Sequence, residues 1–185
     1  MGKQLLYLIS IATLNMETEE ILANIESAIK VFYKNDIKIL KRNLTERMIS
    51  AKLAEYLSLF FNEYDVDPEY NGDFDKPNDR KALDIARNRM IEIGRNPNEK
   101  DNYKLVPDII IHTRETNDDN LVVIEVKKDI SPKAEKDYDL IKLEHLTVNY
   151  MGNHYNYNLG VSLMFGTSGN SGKHKMICFK EGIAI

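Results

Sequence analysis

The sequence predicts a mixed α/β or α+β single domain in which a β-sheet is flanked by helices. Three observations carry that expectation: an amphipathic helical stripe near the start, two apolar strand-length runs in the middle, and a helix followed by two more strands toward the end. At 185 residues, 43% hydrophobic and 29% charged, the chain is large enough to bury a core without staples.

The elements follow in order. Leu5–Leu14 is apolar and follows Lys3 like a signal-peptide core, yet it is too short to cross a bilayer and no small-x-small cleavage signal precedes Glu17–Glu20. Residues 1–18 are expected to form an N-terminal extension, and the cytoplasm is the expected compartment. From Glu19 to Leu40 a helix is expected, because Ile21, Ile25, Ala28, Ile29 and Phe32 recur on one face. A second helix is expected from Asn43 to about Phe61, burying Ile49, Leu53, Tyr56, Leu57 and Phe60. Asp65–Asn71 reads as a strand that Pro68 confines to an edge or bulge.

An irregular insertion at about 72–104 follows, with a short helix expected around Lys81–Ile93. Leu105–Thr113 and Asn120–Lys128 then read as paired strands around the polar turn Asn117–Asn120. A helix is expected over Lys133–Val148, with Pro132 at its start, where proline is tolerated. Tyr157–Phe165 and Lys175–Lys180 read as strands joined by the loop Gly166–His174. That loop resembles a phosphate loop only superficially: it has one residue too many between Gly166 and Gly172, and His174 stands where Ser or Thr is needed.

Charge and rare residues exclude some functions. Lys and Arg total 25 against 29 acidic residues, a net charge of −4, so bulk charge cannot hold nucleic acid and any such contact needs a local site. Cys178 is the single cysteine, which excludes a disulfide framework and a Cys-rich zinc module and suits a reducing compartment. His112, His145, His154 and His174 lack helical zinc spacing.

Asp108, Glu125 and Lys127 carry the chemistry. Alternation puts Asp108, Ile110 and His112 on one face of their strand, and Val123, Glu125 and Lys127 on one face of the next. Both strands are nearly continuous apolar runs, which fits burial on both faces. A buried carboxylate there needs a cation, a donor or water, and two of them form a hard oxygen site suited to Mg²⁺ or Mn²⁺. A plain salt bridge between Glu125 and Lys127 on a solvated face is the bland alternative.

Pro107-Asp108, sixteen residues, then Glu125-Val126-Lys127 resembles the PD-(D/E)xK motif of the restriction-endonuclease-like nuclease superfamily. The resemblance covers about residues 40–180 and implies a restriction-endonuclease-like core, a mixed central sheet flanked by helices. It implies a Mg²⁺-dependent nuclease, with DNA the expected partner, in which Asp108, Glu125 and the Val126 carbonyl bind the metal and Lys127 assists the attacking water. Glu46, in NLTERMISAKLAEYL, resembles a glutamate that many members carry on the helix before the first core strand, and would join the ligands. The segment, with YDVDPEYN after it, resembles a nuclease-like subgroup. Equally, Asn43-x-x-Glu46 fits a capping box, although Glu46 also shares the stripe of Ile49 and Leu53. Glu69 would lie near the metal or serve as an edge-strand charge. Lys142 would touch a phosphate or pair with Asp139 three residues earlier. Arg87, Arg89 and Arg95, in the locally basic stretch 76–104, would grip a nucleic-acid backbone or lie exposed, and His112 would support Asp108 or be structural. A homodimer would suit a small enzyme cutting two strands. The rival from another class is a non-catalytic module that keeps the nuclease fold for binding or assembly; a fortuitous motif on an unrelated α/β fold is the third reading.

Overall fold

The computed structural model describes residues 16–70, 72, 81–150 and 153–185. The expectations on residues 1–15, and on 73–80 of the insertion, lie outside the described residues. The chain folds as mixed α/β. A six-stranded mixed sheet, in the order β1-β4-β5-β6-β7-β8, is built from β1 (Asp65–Pro68), β4 (Ile109–His112), β5 (Asn120–Lys128), β6 (Leu159–Phe165), β7 (His174–Lys180) and β8 (Ile183–Ala184). β5 and β6 run parallel, and the other neighbours are antiparallel. Pro68 sits on the edge strand β1, where its missing N–H costs no ladder bond.

One face of the sheet is covered by helices α1 (Thr18–Lys41) and α2 (Glu46–Leu57). Ile21, Ile25, Ala28, Ile29 and Phe32 of α1 are fully buried against Ile109, Ile111, Val122, Ile124 and Val126. α1 breaks helical geometry at Asp36 (φ −127°, ψ 18°), whose carboxylate accepts from the Tyr56 hydroxyl at 2.6 Å. The break resets the stripe so that Ile39 and Leu40 still reach the core. α2 starts later than its pattern suggests. Asn43 is left-handed (φ 51°), and Thr45 is the N-cap, accepting from the Met48 amide at 3.3 Å. Glu46 is therefore the first helical residue rather than the closing member of an Asn43 capping box, and its carboxylate is free for other partners.

The opposite face carries α4 (Lys133–Leu146) and a small lobe from the insertion: β2 (Ala82–Asp84), α3 (Arg87–Glu92) and β3 (Asn102–Lys104). The helix expected around Lys81–Ile93 is correct only in its second half. Ala82–Asp84 pairs with β3 instead, with the Asp84 amide bound to Asn153 Oδ1 (3.0 Å) and Asn102 Nδ2 to Asp84 Oδ1 (2.8 Å). These tertiary partners outbid a helical turn that propensity alone favoured. The expected strand Leu105–Thr113 shrinks to β4, with Leu105–Pro107 as a connector, and β8, two residues long, is too short to leave an alternating pattern in the sequence. Among the described residues no helix is long and apolar enough to cross a membrane.

The seating of α4 on the sheet matters for everything below. Ile110 and Val123 pack against Leu143 and Leu146, and Gly160 of β6 admits the helix closely: a Cβ there would meet Thr147 Cγ2 at 2.9 Å and Leu143 Cβ at 3.4 Å. Thr147 has little freedom to yield, because its hydroxyl donates to the Leu143 carbonyl (2.9 Å) and accepts from the Gly182 amide (3.1 Å). Gly160→Ala is expected to cost about 1–3 kcal/mol by overpacking. Chemical denaturation checks this, and unchanged stability would mean that α4 does not press on β6 at this point.

Candidate active site

The site forms where β4 begins and β5 runs on past it. β4 starts at Ile109, opposite Ile124, so the Val126 amide lies beyond the ladder. Asp108 fills that gap: its Oδ2 accepts from the Val126 N–H at 2.7 Å. The Asp108 carbonyl in turn accepts from the Glu69 amide at 3.1 Å. Asp108 is thus clamped between β1 and β5. Burial pushes its carboxyl above the usual range, opposed by the Val126 bond and by the nearby Lys127 and Lys142 ammonium groups.

Glu125 points to the α4 face, as alternation requires, and is 1% exposed. Lys142 of α4 meets it at 2.8 Å. Burial, reinforced by Asp108 and Asp139, pushes Glu125 up to about 8 against the pull of Lys142. Lys142 is also 2.8 Å from Asp139, the helical neighbour expected from the sequence, so its ammonium is held between two carboxylates. Lys127, two residues beyond Glu125 on the same face, lies 3.0 Å from Asp139 and 3.2 Å from Glu46. Burial alone would lower both lysines. Asp139, Asp108 and Glu46 outweigh it at Lys127, and Glu125 and Asp139 at Lys142, so both ammonium groups are held protonated.

Glu46 reaches the site from the start of α2 and accepts from the Lys128 amide (3.1 Å) and the Ser131 hydroxyl as well as facing Lys127. Burial would raise its carboxyl, but the Ser131 bond, Lys127 and the Lys128 bond together hold it below the usual range. The structure therefore brings Glu46, Asp108, Glu125, Val126, Lys127 and Lys142 together at one end of the sheet.

Asp139 joins them, 3% exposed, and sequence reasoning used it only as a partner for Lys142. A signal existed. Extending the Leu143–Leu146 stripe of α4 backward by four and seven residues lands on Asp139, where an apolar residue would be expected.

The remaining candidates are engaged elsewhere. Glu69 has a left-handed backbone (φ 53°) and pairs with Arg47 at 2.8 Å on the surface, so only its amide touches Asp108. Arg87 donates to the Asn98 carbonyl (3.0 Å), and Arg89 grips Glu144 of α4 with two bonds of 2.8 Å. Both arginines fasten the insertion rather than project from it. Arg95 stacks on the Tyr138 ring at 4.1 Å, and Lys142 lies 5.4 Å from that same ring. His112 is buried against Asp67 of β1 (3.0 Å) and Tyr70, away from the carboxylate cluster.

The carboxylates gathered here are hard oxygen donors of the kind a divalent cation takes. Glu46, Asp108, Glu125 and Asp139 share two ammonium groups, which leaves two negative charges unbalanced when all are ionised. Glu125 Oε1 and Asp139 Oδ2 are buried, and each has a lysine ammonium as its partner, Lys142 at 2.8 Å and Lys127 at 3.0 Å. In the arrangement seen, however, the lysines take the central positions, and among the described residues no three acidic, histidine or cysteine side chains converge closely enough to hold a metal. No protein-family model matches the chain, and no curated protein or solved structure is significantly similar to it.

Proposed function

We propose that this protein is a metal-dependent phosphodiesterase with a restriction-endonuclease-like core, acting on nucleic acid and most naturally on DNA. One observation carries the proposal: Asp108, at the head of β4, caps the Val126 amide next to Glu125 and Lys127 of β5, where its charge acts on both of their side chains. The element order α2-β1-β4-β5-α4-β6 around them supports it.

Asp108, Glu125 and the Val126 carbonyl are the oxygen donors that would hold Mg²⁺ or Mn²⁺, with Asp139 and Glu46 behind them. A bound divalent ion would supply Lewis-acid polarisation of the phosphate and a more acidic water. The chain's own residues do the rest. Lys127, held protonated, cannot serve as a base; it donates to the attacking water or to the oxygen on which charge develops. Glu46 and Asp139 fix its ammonium from two sides. Lys142 neutralises Glu125 and couples its charge to α4.

The ion pairs also favour a second reading, a non-catalytic module in which Lys142 and Lys127 simply neutralise the carboxylates. A panel of labelled single-stranded, double-stranded and RNA substrates, incubated with Mg²⁺, Mn²⁺ or chelator, separates the two. The nuclease cuts at least one substrate with metal and none with chelator, and Lys127→Ala loses turnover while keeping binding. A module binds without cutting under every condition.

A further inference from the structure

Beside Lys127, the α4 face of the sheet is only partly covered. Strand register places Lys127, Met164 and Lys175 in one row across β5, β6 and β7, and Glu125, Ser162 and Ile177 in the next. α4 presses on the sheet farther along, at Gly160; over these two rows its Asp139 and Lys142 pair with Lys127 and Glu125, and its Lys136 and Leu140 line the space left beside them. A groove of about 400 Å³ remains, with Lys127 on its wall. Past Lys136, Met164 and Lys175 it opens into a second depression of about 620 Å³ bordered by Lys173 and His174.

The groove combines two chemistries. Leu140, Met164 and Ile177 give it an apolar floor, with Ile177 44% exposed. Lys136, Lys173 and Lys175 give it a cationic rim. Lys136 is held by the Asp129 backbone carbonyl at 2.6 Å, and Lys173 and Lys175 have no carboxylate partner among the described residues. Asp129, the acid on this wall, is already engaged by the Thr167 amide (3.1 Å) and hydroxyl (2.8 Å) and by Asn170 (2.8 Å). His174 is held between Tyr33 (3.1 Å) and Glu26 (3.0 Å). In a chain of net charge −4, this rim is a local cationic track leading to the candidate active site.

We propose that the groove holds one unpaired nucleic-acid strand, with bases against the Met164–Ile177 floor and phosphates on Lys136, Lys175 and Lys173, and that it delivers this strand to Lys127. The proposal rests on the nuclease reading and adds the substrate form and its path. A duplex turns its bases inward and presents phosphates and groove edges, which would leave the apolar floor unmatched. An unpaired strand buries base surface there while its backbone meets the lysines.

Fluorescence anisotropy of the full chain in chelator reads binding without cleavage. A short labelled single strand is expected to bind at least about tenfold more tightly than the corresponding duplex, with a log–log salt slope that Lys136→Glu/Lys175→Glu reduces by about 1.4, or about 0.7 per lost phosphate contact. Ile177→Asp, an exposed substitution, is expected to weaken the single strand and leave the weaker duplex binding unchanged. Equal or tighter duplex binding, wild-type affinity in the double variant, or preference for anionic lipid vesicles over the strand overturns the proposal. If the strand binds in this groove but no metal supports cutting, the nuclease reading fails and the groove stands. If cutting is robust and the charge reversals change nothing, the groove fails and the nuclease reading stands.

Discussion

Asp108→Asn and Glu125→Gln are expected to lower metal-dependent cleavage by at least about 10³-fold, equivalent to roughly 4 kcal/mol of lost transition-state stabilisation. Asp108→Ala and Glu125→Ala should abolish it. The amide substitutions are the more informative pair. Asparagine at 108 retains an oxygen that accepts from the Val126 N–H, so the tie to β5 survives while the charge is removed. Both carboxyls are pushed up by burial, so the folded protein holds each neutral form more comfortably than the charged one. The amide variants should therefore be folded and at least as thermally stable as the wild type without metal. Loss of activity with preserved melting would place the defect in chemistry. Wild-type cutting by either purified variant would refute the assignment.

Without metal, the protein should lose stability as pH rises from the ordinary glutamate range to about 8, with a contribution from Glu125 approaching about 1.4 kcal/mol per pH unit within that window. The direction follows from the shift. Glu125 in the fold is raised to about 8, so the unfolded chain gives up this proton first. The associated stability is fully present below the unfolded value and is lost as pH climbs through the folded one. Glu46, Asp67 and Glu144 are shifted downward and act oppositely, losing their contribution as pH falls below the carboxylate range. Subtracting the Glu125→Gln curve from the wild type isolates the single group. Mg²⁺ or Mn²⁺ should stabilise the wild type more at pH 8 than at pH 5, because binding requires the ionised carboxylate and displaces its proton. At a metal concentration about 100-fold above Kd the gain is about 2.7 kcal/mol. A difference curve that is flat between pH 5 and 8 would show that Glu125 is not buried among like charges.

The parts of the site that lie on paired strands were legible from local pattern. Period-two alternation within unbroken apolar runs put Glu125 and Lys127 on one face, and the short turn before Asn120 brought Asp108 alongside. The α1 stripe was legible for the same reason, since burial of one helix face imposes its repeat directly on the chain. Asp139 and the double pairing of Lys142 were not. They depend on how α4 settles over Gly160, a contact between residues whose separation in sequence carries no periodic signal. The arginines of the insertion read as free basic charge, yet Arg89 closes on Glu144, a partner 55 positions away. Glu46 looked equally like a cap and a site residue until Thr45 took the capping role.

The sequence alone determined the strand pair, the helices that bury the sheet and the acid–acid–lysine motif, because each is written in residue spacing over fewer than about two dozen positions. Only the tertiary structure decided which cations neutralise those acids and where a basic groove opens beside them. Electrostatic pairing at about 3 Å and the partial covering of a sheet face are properties of distance in space, and spacing along the chain does not encode them.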